Sequence, residues 1–137
     1  MEDRYLFKAK FDDSDRWVKG QLVEVNDTYL IIPNHARKIL SGLFSTSNVV
    51  EVKKDTICQC TGLKDKNGNL IWENDIMVAH LDKDNPEDIT YAIVAWRENG
   101  WVTVENGSDD LNQIDDFTTE NFEVVSTRFD NTELLEV

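Results

Sequence analysis

The apolar residues of this chain come in short runs that alternate or cluster over four to eight positions, and turn-forming residues stop almost every one of them. Tyr5, Phe7, Ala9 and Phe11 alternate with Leu6, Lys8 and Lys10, the period of a strand with one buried face. A polar turn, Asp12 to Asp15, follows. Trp17 to Val25, Asn26-Asp27 and Thr28 to Ile32 read as a strand, a tight turn and a returning strand, ended by Pro33 and Asn34. Asn48 to Val52 and Thr56 to Cys60 are further short extended runs. Lys66-Asn67-Gly68-Asn69 tolerates positive φ and predicts the tight turn of a hairpin whose second strand is Leu70 to Trp72. Ile76 to Leu81, Ile89 to Trp96, Trp101 to Glu105 and Asn121 to Arg128 continue the pattern, with Glu98-Asn99-Gly100 as a second hairpin signal between Trp96 and Trp101. Such punctuation leaves no room for long helices. The one helical spacing, Ala36, Ile39, Leu40 and Leu43 within His35 to Leu43, predicts a turn or two of helix. The fold class is all-β, in small barrel or sandwich units, with at most one short helix.

Length and charge then limit function. The 137 residues suit one domain or two very small ones and can bury a core without covalent staples. A net charge of −13, from 27 acidic and 14 basic residues, repels phosphate backbones and anionic membranes. Nucleic-acid and membrane binding are therefore not expected. A decoy that imitates nucleic acid toward a basic protein needs its carboxylates aligned on one face; here they are scattered, and a solvated surface is the simpler reading. Charges interleave the apolar residues of MEDRYLFKAKF, and no apolar run nears the roughly 18 residues of a membrane span. The expectation is an intracellular, cytoplasmic protein. Cys58 and Cys60 make no disulfide framework.

Asp65, Asn67 and Asn69 have the spacing that opens a calcium loop, but Leu70 stands where glycine is required and Ile76 where the closing glutamate belongs. The acidic loop Asp82, Asp84, Glu87 and Asp88 is interrupted by Pro86, and a solvated loop explains it. Cys58 and Cys60 would share one strand face, with His35 and His80 as distant partners, which matches no common zinc spacing; two small buried thiols are the simpler reading. Whether they bind metal is open from sequence alone. Glu73 and Asp75 form a tempting carboxylate pair, yet an acid ahead of a strand commonly accepts main-chain N–H groups, and that role is assigned to Asp75. Neither histidine lies in a nucleophile motif, so no catalytic residue, cofactor or metal is assigned. Trp17, Trp72, Trp96 and Trp101 read as core or subunit-interface anchors, with Trp96 and Trp101 the pair that could meet a ligand or partner.

The segment DTICQCTGLKDKNGNLIWENDIMV, Asp55 to Val78, resembles the signature of the YopX family of phage and prophage proteins. Its motif positions here are Thr61, Gly62, Leu63, Lys64, Asp65, Asn67, Gly68, Trp72 and Asp75. RYLFKAKFDDSDRWVKGQLV, Arg4 to Val23, is similar to the family's opening, and FEVVSTRFDNTELLE, Phe122 to Glu136, to its closing strand and tail. Cys58 and Cys60 stand where the family usually has Gly and an aromatic, Asn74 where it has Gly, and Thr132 where it has Pro. Asn74 fits, because asparagine follows glycine in tolerance of left-handed conformations. The resemblance implies an all-β subunit with an SH3-like C-terminal part, assembling into a homo-oligomer, with no established biochemical activity. The expected division is an N-terminal β unit over 1–56 and a C-terminal one over 57–137, with one compact domain as the alternative.

Overall fold

The computed structural model describes residues 6–33, 49–85, 87–98, 100–105 and 111–135. The expected helix over His35 to Leu43 falls outside them, as do His35, Pro86 and Asn99. Among the described residues the chain is all β apart from one α-helix and two short 3-10 turns, at Lys54–Thr56 and Thr132–Leu135. It divides into two compact units, Met1–Cys60 and Thr61–Val137.

In the first unit the strands are β1 (Phe7–Lys10), β2 (Trp17–Val25), β3 (Thr28–Pro33) and β4 (Val50–Glu51), all antiparallel, with the start of β5 (Cys58–Lys64) on the other side of β1. Asn26 and Asp27, at φ 50° and 65°, make the tight β2–β3 turn. Two consecutive left-handed residues match the twist of the strands they join. The apolar face gathers Ala9, Val18, Ile31 and Val52, with Phe11, Leu22 and Tyr29 packed against them. Gly20 lies on this face opposite Phe7 and Pro33. A methyl group there would sit 1.9 Å from the Ile32 carbonyl oxygen, so only glycine lets the strands close.

One expectation for β1 needs correction. Its other face is not open to water, since Lys8 and Lys10 are 8% and 6% exposed. Trp17 accounts for this: their ammonium groups lie 4.8 and 5.5 Å from the indole centroid, and the lysine stems cover the apolar ring while the charges meet its negative face.

In the second unit five antiparallel strands run in the order β10-β9-β8-β7-β11: β7 (Asp75–Ala79), β8 (Thr90–Arg97), β9 (Gly100–Glu105), β10 (Leu111–Gln113) and β11 (Glu123–Thr127). Ahead of them, Thr61–Lys64 of β5 and β6 (Leu70–Trp72) form the hairpin of the signature segment. Ile71, Met77, Ala79, Ala92, Val94 and Phe122 form the core, with Trp101, Ile114 and Val124 against it. All of β7 is buried, which explains why it reads as an apolar run without alternation. A bulge between Val124 and Ser126 turns Val125 out to solvent, where it is 48% exposed.

The described α-helix, α1 (Asp116–Asn121), was not anticipated. Asp115 caps it: its carboxylate accepts the Thr118 N–H at 3.2 Å, and the Thr118 hydroxyl completes the reciprocal box at 3.5 Å. That Asp-x-x-Thr spacing was the available signal. The second hairpin forms as expected, with Trp96 and Trp101 as partners, but its strands extend one residue further on each side. Gly100 opens β9 opposite Arg97, and Glu98 holds the left-handed position at φ 52°. No helix among the described residues is long and apolar enough to cross a membrane.

Gly20→Ala is expected to destabilise the protein by more than about 3 kcal/mol, because backbone must move to admit the methyl group. Urea unfolding checks this; wild-type stability would contradict the close approach of β2 and β3.

Candidate functional site

The signature hairpin is organised by a carboxylate that accepts main-chain donors from two places in the chain. Asp65, 5% exposed, follows β5 directly. Its Oδ1 accepts the N–H groups of Asn67 and Asn69, both at 2.9 Å, closing the turn in which Gly68 takes φ 83°. Its Oδ2 accepts the Val124 N–H of β11 at 2.8 Å, across 59 positions of sequence. Two neighbouring bonds reinforce the link: Lys66 N–H to the Phe122 carbonyl at 3.1 Å and the Asn67 side-chain amide to the Glu123 carboxylate at 2.8 Å. Burial on its own would raise the Asp65 carboxyl. The N–H donors of Val124, Asn69 and Asn67 outweigh it and hold the group below the ordinary aspartate range.

Thr61 and Asp75 fix the two ends of the segment. The Thr61 hydroxyl is buried, donates to the Ile71 carbonyl at 2.8 Å across the hairpin, and accepts the Leu63 N–H at 3.0 Å around Gly62, whose φ is 81°. Asp75 is 1% exposed, and its Oδ2 accepts the Trp72 N–H at 2.8 Å over the Glu73-Asn74 turn. Asn74 takes φ 69°, the left-handed conformation in which asparagine best replaces glycine. Its N–H donates to the Val94 carbonyl at 2.8 Å, and its carbonyl accepts the Arg128 N–H at 3.0 Å. Glu73 belongs to the turn and Asp75 to the strand, so the two do not form the same-face carboxylate pair that their spacing suggested. Leu63 and Lys64 are exposed; Trp72 is buried.

The remaining candidates disperse. Cys58 and Cys60 are both fully buried, and the Cys58 thiol donates to the Thr56 carbonyl at 3.2 Å. Among the described residues no group of three or more His, Cys, Asp or Glu side chains could hold a metal ion. Asp82 accepts the Asn85 side-chain amide at 3.1 Å and the Asp84 N–H at 2.9 Å, which lower its pKa and make its loop a self-contained turn.

Trp96 and Trp101 do come together. They are direct cross-strand partners, with ring centroids 5.0 Å apart and planes at 75°. Trp101 packs on the core, while Trp96 remains 49% exposed. On the opposite face of this hairpin Arg97, Glu98, Gly100, Val102, Leu111 and Gln113 line an open cleft of about 250 Å³. Sequence reading missed it because β10 was not recognised as a strand.

Asp65→Ala is expected to cost about 3 kcal/mol, since two turn amides and one strand amide lose a charged acceptor. The folded pKa lies below the unfolded one. The stabilisation is therefore fully present above about pH 4 and is lost as the pH falls through the folded value. Asp65→Asn is expected to flatten this acid limb in urea melts between neutral and acid pH; an unchanged limb would contradict the assignment.

Comparison with known proteins places the fold. The crystal structure of protein EF1440 from Enterococcus faecalis is similar, with a TM-score of 0.59 over 94% of this chain and 96% of that one, at 23% sequence identity. At that identity the likeness shows the fold alone. No curated protein matches the chain. The family described as YopX protein matches residues 6–136, a span holding the clamp, both hairpins and both sheets, so the chain belongs to the YopX family.

Proposed function

We propose that the chain is a phage or prophage accessory protein of the YopX type: a homo-oligomeric, non-enzymatic protein-interaction subunit, working in the cytoplasm of a bacterial host. Its second unit is read as SH3-like. The observation that carries this is the use made of the signature's carboxylates. Asp65 holds the Asn67, Asn69 and Val124 amides and Asp75 holds the Trp72 amide, so the segment that defines the family builds a scaffold. Exposed apolar side chains remain for contact, among them Trp96, the exposed half of its aromatic pair. Aromatic anchors of this kind suit protein interfaces. Self-association and a host or phage protein are the partners proposed, without cofactor, nucleic acid or membrane.

The charge of −13 supports a second reading, an acidic inhibitor or nucleic-acid mimic directed at a basic host protein. Salt separates the two, because long-range attraction between exposed charges is screened within about 8 Å at physiological ionic strength. Light scattering on the purified protein, with affinity capture from infected host cells at low and high salt, tests both. An oligomer whose partner survives high salt is expected. A strict monomer with no partner would contradict the main reading, and a partner released by salt would favour the mimic.

A further inference from the structure

We infer that Asn67-Gly68 is a latent self-modification site: the closed hairpin protects it, and deamidation of Asn67 after the turn opens keeps the link to β11 from re-forming. The reaction needs water and no enzyme.

The turn itself imposes the liability. Gly68 is required by its φ of 83°, and Asn67 by the bond from its side-chain amide to the Glu123 carboxylate. Asparagine is a thermolabile residue, and glycine after it leaves the next main-chain nitrogen without a β-carbon to shield it from the carboxamide. Both residues are exposed, and nothing lies within 4 Å of the position a β-carbon of residue 68 would take, so water and base reach the pair.

The chemistry balances without an oxidant. Gly68 N loses its proton to base and attacks Asn67 Cγ. A carbon–nitrogen bond forms in a five-membered succinimide, the bond from Cγ to Nδ2 breaks, and Nδ2 leaves as ammonia with a proton from water. One water then opens the ring at either carbonyl, giving aspartate at position 67 or isoaspartate, in which the main chain runs through the side-chain carbon. The sum is one water consumed and one ammonia released.

In the closed hairpin each step is opposed. The proton that must leave is held, because the Gly68 N–H donates to the Asp65 carbonyl at 3.0 Å. The carboxamide that must turn back toward Gly68 is drawn to β11, where it donates to Glu123 at 2.8 Å. The backbone that must rotate to close the ring is pinned on both sides, since the Asn67 and Asn69 N–H groups donate to Asp65 Oδ1 at 2.9 Å. A carboxylate at that place also disfavours the anionic nitrogen. Reaction therefore waits on local opening of the hairpin.

Opening followed by reaction is one-way. An amide donor facing the Glu123 carboxylate becomes a second carboxylate, and like charges across a strand pair repel. Isoaspartate further lengthens the main chain inside a turn whose two amides share one oxygen of Asp65.

Incubation of the full chain at mildly alkaline pH, with Asn67 followed by tandem mass spectrometry, tests the inference. Conversion is expected to be slower by about tenfold or more in the folded wild type than in the same chain in urea, and to accelerate severalfold in folded Asp65→Asn. The comparison with urea does not depend on that variant folding. Asn67→Asp is expected to lower the urea midpoint, and Glu123→Gln added to it to restore most of the loss, a rescue that general damage to the turn would not show. Equal conversion of the folded and unfolded wild type, or an unchanged rate in folded Asp65→Asn, would overturn the protection. A wild-type midpoint for Asn67→Asp, or a loss that Glu123→Gln does not relieve, would overturn the one-way step.

Discussion

The second unit depends on one carboxylate. Its hairpin β5–β6 and its last strand β11 are distant in sequence, and a turn of Lys, Asn and Gly offers little to hold them together by burial. Asp65 does so by accepting two amides of its own turn and one of β11, with each oxygen committed to one side. An ionised acceptor makes stronger bonds than a neutral one, and a group this buried carries a large penalty if left without donors. The bond to Val124 also occupies a donor on the outer side of β11. The same interaction thus closes the unit and blunts the β11 edge of its sheet.

This explains what the signature segment is for. Thr61, Gly62, Asp65, Gly68, Asn74 and Asp75 read in order as a hydroxyl bridge, a left-handed residue, a carboxylate clamp, a second left-handed residue, a third, and an acid that holds the turn into β7. Every one answers a backbone requirement, most of them local, and Asp65 and Asn74 also reach distant strands. A calcium loop and a carboxylate pair were reasonable readings of the same letters, because oxygen-rich side chains at alternate positions serve metal ions and main-chain amides alike. Burial and direction separate the two, and neither is written in the spacing.

Much of the fold was legible. Strands bounded by Asn26-Asp27 and Asn67-Gly68 follow from turn chemistry, and the all-β class follows from the period of the apolar residues. The misses have identifiable causes. Lys8 and Lys10 looked like the wet face of β1, but Trp17 is wide enough to shelter both stems. β10 has three polar or isolated residues with no pattern of its own and exists through its ladder with β9. Its absence from the sequence reading hid the cleft. The link from Asp65 to Val124 spans 59 positions and leaves no periodic trace at all.

The central claim is that Asp65 joins the signature turn to β11 through main-chain amides, and amide hydrogen exchange read by NMR addresses it most directly. The Asn67, Asn69 and Val124 amides should be protected in the wild type and should all lose protection in Asp65→Ala, while the β8–β9 amides keep theirs. Fast exchange at Val124 in the wild type, or protection there that persists without the carboxylate, would contradict the account.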